Sequence, residues 1–291
     1  MSKRIICTNE DNVQVEFNYN AENAFFLVST EGVYSVSNKV ALSENTMTDG
    51  STYQGSVTKE RNIVIGATME KNYQKNRDLL YKCFKPKSTG TFTYIENDEI
   101  RKIDYKVESI DIGETGVIRD ITISLVCPDP FFTDIEDIVV TMAGWKKTFT
   151  WPHRFGDPEP FGERIAEIIK TVENDSAADN IGIEILMEAS GQVKNPAIYH
   201  IEENEFIKIG TTANPLTLAA GEAVRITTGT NEKNVYLVNL AGQETEINEY
   251  LDELSEFIQL VHGKNTFKYD AESGINYLNV KISYRFRYLG V

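Results

Sequence analysis

The chain has 291 residues, of which 41% are hydrophobic and 10% aromatic, and its formal net charge is −15. That length predicts two domains or one large all-β domain, and the apolar content is enough to bury a core. The acidity is spread along the chain and repels phosphate backbones and anionic lipid, which argues against specific nucleic-acid binding and against a membrane partner. The densest short basic run, Lys82 to Lys87, holds only three lysines. No apolar run approaches the roughly 20 residues that span a bilayer, and Met1 to Cys7 lacks the apolar core of a secretory signal. The expectation is synthesis and initial residence in the cytoplasm. Cys7, Cys83 and Cys127 are odd in number, widely spaced and set among apolar residues, which predicts buried free thiols.

In chain order, Arg4–Cys7 and Val13–Phe17 read as strands around a turn at Asn9–Asn12. Ala24–Ser29 and Val33–Val40 read as a second hairpin around Glu31-Gly32. A central unit follows: an extended run from Gly55 to Met69, a helix over Asn72–Phe84 that stops before Pro86, and a strand over Thr91–Ile95. Ile103 to Ser109 and Ile121 to Leu125 alternate as half-buried strands. Cys127-Pro128-Asp129-Pro130-Phe131-Phe132 breaks the rhythm, which places a domain boundary after Phe132.

The second half restarts with Ile138–Met142 and the aromatic-rich Trp145–Trp151. A loop follows at His153–Pro160, and then a helix in which Phe161, Ile165, Ile168 or Ile169, and Val172 share a face. Short strands are expected at Ile181–Met187, Ala197–Ile201, Glu205–Ile209, Pro215–Leu218, Ala223–Thr227 and Val235–Leu240, the spacing of a β-sandwich. Glu246–Phe257 reads as a short helix. Thr266–Tyr269 and a long final strand over Tyr277–Tyr288 close the chain.

Chemistry is sparse. His153, His200 and His262 are isolated, outside any HExxH or CxxC context, so no metal site is expected. The acidic groups Asp134/Glu136/Asp137, Glu202/Glu203/Glu205 and Glu246/Glu249/Asp252/Glu253/Glu256 lack calcium-loop spacing and read as solvated surface. There is no GxSxG elbow, P-loop or GxGxxG, so no catalytic residue and no cofactor is assigned. Trp145, Phe149, Trp151, Phe155 and Phe161 suit a sugar platform or, more simply, packing.

The order of features resembles the siphophage tail component family, the distal tail (Dit) proteins of long-tailed phages and prophages. The residues that carry it are Asp49-Gly50-Ser51-Thr52-Tyr53, the Arg61-Asn62-Ile63-Val64-Ile65 strand and the Arg77-Asp78-Leu79-Leu80 helix. Gly90-Thr91-Phe92-Thr93-Tyr94, Cys127 to Phe132, Gly263-Lys264-Asn265 and Tyr284-Arg285-Phe286-Arg287-Tyr288 complete the set. The resemblance covers the N-terminal half well and the C-terminal half loosely.

It implies a mainly β chain. Residues 1–132 would be a β-sandwich-like, ring-forming domain with one helix, and residues 133–291 a galectin-like β-sandwich domain outside the ring. It further implies a structural, non-enzymatic protein of the virion tail tip, a homo-hexamer that joins the tail-tube protein to tail-tip or tail-associated protein and docks a receptor-binding protein. The Asp49–Lys59 stretch and the helix are the expected ring interface, and the family has no catalytic signature to carry over. A carbohydrate-binding tail adhesin resting on the Trp145–Phe161 aromatics is the alternative, and a tail-associated cell-wall hydrolase a third reading.

Overall fold

The structure, a computed structural model, describes residues 3–47, 49–97, 99–147, 162–176, 180–230 and 232–291. It divides into two compact units, Met1–Ile135 with Arg287–Val291, and Glu136–Phe286. The mainly β expectation, with one helix in the N-terminal half, is borne out.

Unit 1 comprises β1 (Lys3–Asn9), β2 (Gln14–Asn18), β3 (Phe26–Glu31), β4 (Asn38–Glu44), β5 (Ser51–Thr58) and β6 (Arg61–Met69). Helix α1 (Tyr73–Cys83), β7 (Thr89–Glu96), β8 (Glu99–Ile112), β9 (Arg119–Cys127) and β10 (Phe132–Thr133) follow. In β6, residues 61, 63, 65, 67 and 69 point inward, and in β9 residues 121, 123, 125 and 127 do the same, as period-two alternation requires. The strands run β8-β7-β1-β2-β3-β6-β9, and β8 also pairs with β9, so the sheet closes on itself and encloses its apolar faces. Helix α1 lies against this wall by its apolar side. Leu80, Cys83 and Phe84 enter the same core as Cys7, Phe17 and Tyr105. Its ends are fastened by the Arg119 guanidinium, 3.6 Å over the Tyr73 ring, and by Asn9 Nδ2, which donates to Lys82 O at 2.9 Å.

Unit 2 begins with β11 (Ile138–Lys147), β12 (Gly162–Ala166), β13 (Ile169–Asn174), β14 (Ile181–Ala189), β15 (Val193–His200) and β16 (Glu205–Lys208). It continues through β17 (Thr217–Leu218), β18 (Ala223–Gly229), β19 (Glu232–Val238) and β20 (Glu244–Glu246), then β21 (Gln259–Leu260), β22 (Gly263–Ser273) and β23 (Leu278–Tyr284). One sheet runs β12-β11-β23-β14-β18-β19-β20 and another β13-β22-β15-β16. Both feed one core: Ile185, Val224 and Ile282 from the first sheet, Ile198, Phe267 and Tyr269 from the second.

Five local expectations are corrected. The hairpin around Glu31-Gly32 does not form: β3 pairs with β6, and β4 pairs with β5 as a separate two-stranded sheet. The extended run from Gly55 to Met69 is two strands, β5 and β6. The helix expected from Phe161 to Val172 is replaced within the described residues by β12 and β13. Its supposed face is split, with Val172 buried and Ile169 at 55% exposure, and its β-branched residues favour strands. Glu246–Phe257 holds only a single 3-10 turn, Asn248–Tyr250, because Asn248 Oδ1 accepts the backbone N–H of Val235 and ties the segment to β19. The final strand is also shorter than expected. β23 ends at Tyr284, and β24 (Arg287–Tyr288) pairs with β10 in unit 1.

Candidate functional site

The most unusual part of unit 1 is the β4–β5 hairpin. It is paired from Asn38↔Thr58 to Glu44↔Ser51 and stands outside the closed sheet. Cross-strand partners share a face, so Val40, Leu42 and Tyr53 line one side of it, at 51%, 60% and 61% exposure. A two-stranded hairpin without a packed face is marginal in water by itself. The glycines suit its path: Gly50 and Gly55 have φ of +92° and +149°, which side chains disfavour, and Gly55 sits at the register shift between Ala41 and Leu42.

The base of the hairpin is held by Arg61, a buried residue with 4% exposure. Its Nη1 donates to the carbonyls of Gly32 (2.6 Å), Val33 (3.0 Å) and Ser35 (3.0 Å), its Nε to Pro130 O (2.8 Å) and its Nη2 to Leu289 O (2.5 Å). The guanidinium also lies 5.0 Å from the Phe132 ring centroid. One side chain thus ties the segment leading into the hairpin, residues 32–35, to the strand that follows it, the proline-rich turn and the returning C-terminal stretch. Lys59 N closes the base by donating to Ser37 O at 2.9 Å. At Gly32, with φ +81°, an added Cβ would stand 1.9 Å from Asn62 O, so the approach that feeds Arg61 requires glycine.

The returning stretch carries its own contacts. Arg287 pairs with Asp129, Tyr288 OH donates to Asp134 at 3.0 Å, and the Arg101 guanidinium sits 3.6 Å over the Tyr288 ring while pairing with Asp134. Asp134, read from sequence as solvated surface, is therefore a structural anchor. Sequence reasoning gives Arg61 only as the first residue of a strand that carries the resemblance, with no role of its own, and does not single out Arg101. Their only signal was a charged residue at an inward position of an alternating strand.

The other expected groups are dispersed. All three cysteines are buried free thiols, and burial pushes Cys83 up to about 11 and Cys127 up to about 12, so they stay protonated and unreactive. His200 is fully buried and stacked on Phe267, with ring centroids 5.1 Å apart, and its nearest carboxylate oxygen is Glu202 Oε2 at 3.6 Å. Burial lowers its pKa. His262 is exposed. Glu202 accepts the Thr266 N–H, and Asp137 pairs with Arg285. His153, Phe149, Trp151, Phe155 and Phe161 lie outside the described residues, as does the side chain of Trp145. Among the described residues no group of three or more His, Cys, Asp or Glu is placed to hold a metal.

In sequence, residues 178–288 match the siphovirus-type tail component family, C-terminal domain. No curated protein matches the chain. In fold it is similar to the SPP1 Dit protein, described as a paradigm of the hub adsorption apparatus in phages that infect Gram-positive bacteria. The two are 14% identical over 98% of this chain and 99% of that one, with a TM-score of 0.68. It is also similar to chains of the phage P2 baseplate in its activated conformation with Ca and with Sr. Each is 9% identical over 100% of both chains, with a TM-score of 0.55. The family match thus points to a siphovirus-type tail component domain over residues 178–288, and the likeness to the Dit protein and the baseplate chains is one of fold along the whole chain.

Proposed function

We propose that the chain is a structural, non-catalytic hub of a phage tail. It assembles as a hexameric ring at the virion tail tip, joins the tail tube to the tail tip or baseplate, and docks receptor-binding components. Residues 1–132 form the ring domain, and residues 133–291 an outward galectin-like β-sandwich, with the returning residues Arg287–Val291 completing the ring domain. Assembly takes place in the host cytoplasm, without specific nucleic-acid or membrane binding.

The observation that carries the reading is the β4–β5 hairpin. Its apolar side is uncovered in the single chain, and a neighbouring subunit is the natural cover. The likeness in fold to a hub protein and to baseplate chains supports the same role. Light scattering on a sizing column, with negative-stain images, tests it: a mass near six subunits with ring-shaped particles is expected. A chain that stays monomeric at every concentration, and also when co-expressed with its tail neighbours, would overturn it and favour the carbohydrate-binding adhesin.

A further inference from the structure

Between Lys71 and Lys87 the chain carries six basic side chains against one acidic one, Asp78, although the protein as a whole has an acidic excess of fifteen. Within α1, Lys75 and Lys82 are seven residues apart and share the exposed side. Asp78 lies between them and is engaged by Arg77 at 2.9 Å. Lys75 and Lys82 make no ion pair among the described residues, whereas Lys85, next along, is paired with Asp11. Unpaired lysines on a strongly acidic protein call for an acidic surface.

Such a surface lies on another part of the same unit. β8 is a 14-residue strand whose solvent side presents Asp104, Lys106, Glu108 and Asp111. Glu108 is held in place by neutral donors, Asn62 Nδ2 at 2.9 Å and Ser124 Oγ at 2.6 Å. Glu108 and Asp111 make no ion pair among the described residues. The spacings agree: seven residues of helix and three of strand each advance about 10 Å.

We infer that the Lys75/Lys82 stripe of α1 seats on Glu108 and Asp111 of a second copy of this chain. The contact joins two different faces, so it is heterologous and head-to-tail, the kind that closes rings. Opposite charges also set its register and speed encounter, and they penalise pairing of like faces. The inference rests on the ring reading and specifies its interface.

The test uses the full chain in four forms: wild type, K75E/K82E, E108K/D111K, and the quadruple exchange. All substituted side chains are exposed, and unchanged melting confirms folding. Each double variant should lose the ring mass in salt of about 0.1 M, with association weakened about a hundredfold or more, and the quadruple exchange should restore it. Wild-type rings should also weaken as salt rises toward about 1 M. If wild type forms rings and both double variants keep them, the inference fails while the ring reading stands. If wild type never forms rings, both fail. If the lysine stripe retains duplex DNA in a way that K75E/K82E abolishes, its occupant is a phosphate backbone and the inference is overturned.

Discussion

At the scale of single residues, two buried polar groups carry more of unit 1 and unit 2 than their numbers suggest. Among the described residues Arg61 has no carboxylate partner. Its charge is met by five backbone carbonyls and an aromatic face, so its removal leaves those acceptors without their donor, Val33 O in a buried setting. Arg61→Met should cost unit 1 about 3 kcal/mol or more, read as a lower denaturant midpoint. A loss under about 1 kcal/mol would show the clasp to be incidental. His200 acts through pH. Its folded pKa lies below its unfolded value of about 6.5, so the neutral ring is favoured in the native state and stability is lost as pH falls below about 6.5. His200→Phe, which keeps the stacking on Phe267, should shrink the drop in Tm between pH 7 and pH 5. An unchanged drop would assign the acid sensitivity to carboxylates alone. Neither role was legible in the sequence, because a lone His or an inward Arg acquires meaning only from the carbonyls and rings that the fold brings to it.

At the scale of elements, period-two strands such as Ile181–Ala189 and Arg119–Cys127 were legible, since alternation writes burial directly into the chain. Helix α1 was legible too, bounded by Pro86 and marked by Leu80 on its inner side. What failed were short apolar runs in which helical and extended spacing coincide, as in Ile165 to Val172, and the pairing of β4, which depends on Arg61 drawing residues 32–35 away from a tight reversal. The β4–β5 hairpin yields the prediction at this scale. L42S/Y53S removes apolar surface that is exposed in the single chain, so subunit stability should change by no more than about 0.5 kcal/mol. Ring formation should nevertheless fall, because burying such side chains contributes roughly 1.5–3 kcal/mol each. Stable rings from this variant, seen as an unchanged scattering mass, would remove the hairpin from the interface.

For the whole molecule, the acidic composition argues against a nucleic-acid partner, but it averages away the basic segment around α1. A net charge is blind to how charges are distributed over faces. The order of motifs along the chain carried the resemblance to the tail component family, where no single motif did. The return of Arg287–Val291 to unit 1 was harder to see, since Tyr277–Tyr288 reads as one strand. Removing residues from Arg287 onward should lower the melting of unit 1 while leaving unit 2 intact, because Arg61 loses an acceptor and Asp134 loses Tyr288. Hydrogen exchange would separate the two units, and uniform protection in the truncated chain would contradict this.

That return path has a consequence for biosynthesis. Unit 2 is threaded between two parts of unit 1, so residues 287–291 leave the ribosome only after all of Glu136–Phe286 has been made. During translation the N-terminal sheet can close through β8 and β9, but β10 still lacks its partner β24 and Arg61 is one acceptor short until the rest of the chain has been made. Fragments released early therefore lack both the β10–β24 pairing and the Leu289 acceptor, so an incomplete chain carries an unfinished unit 1.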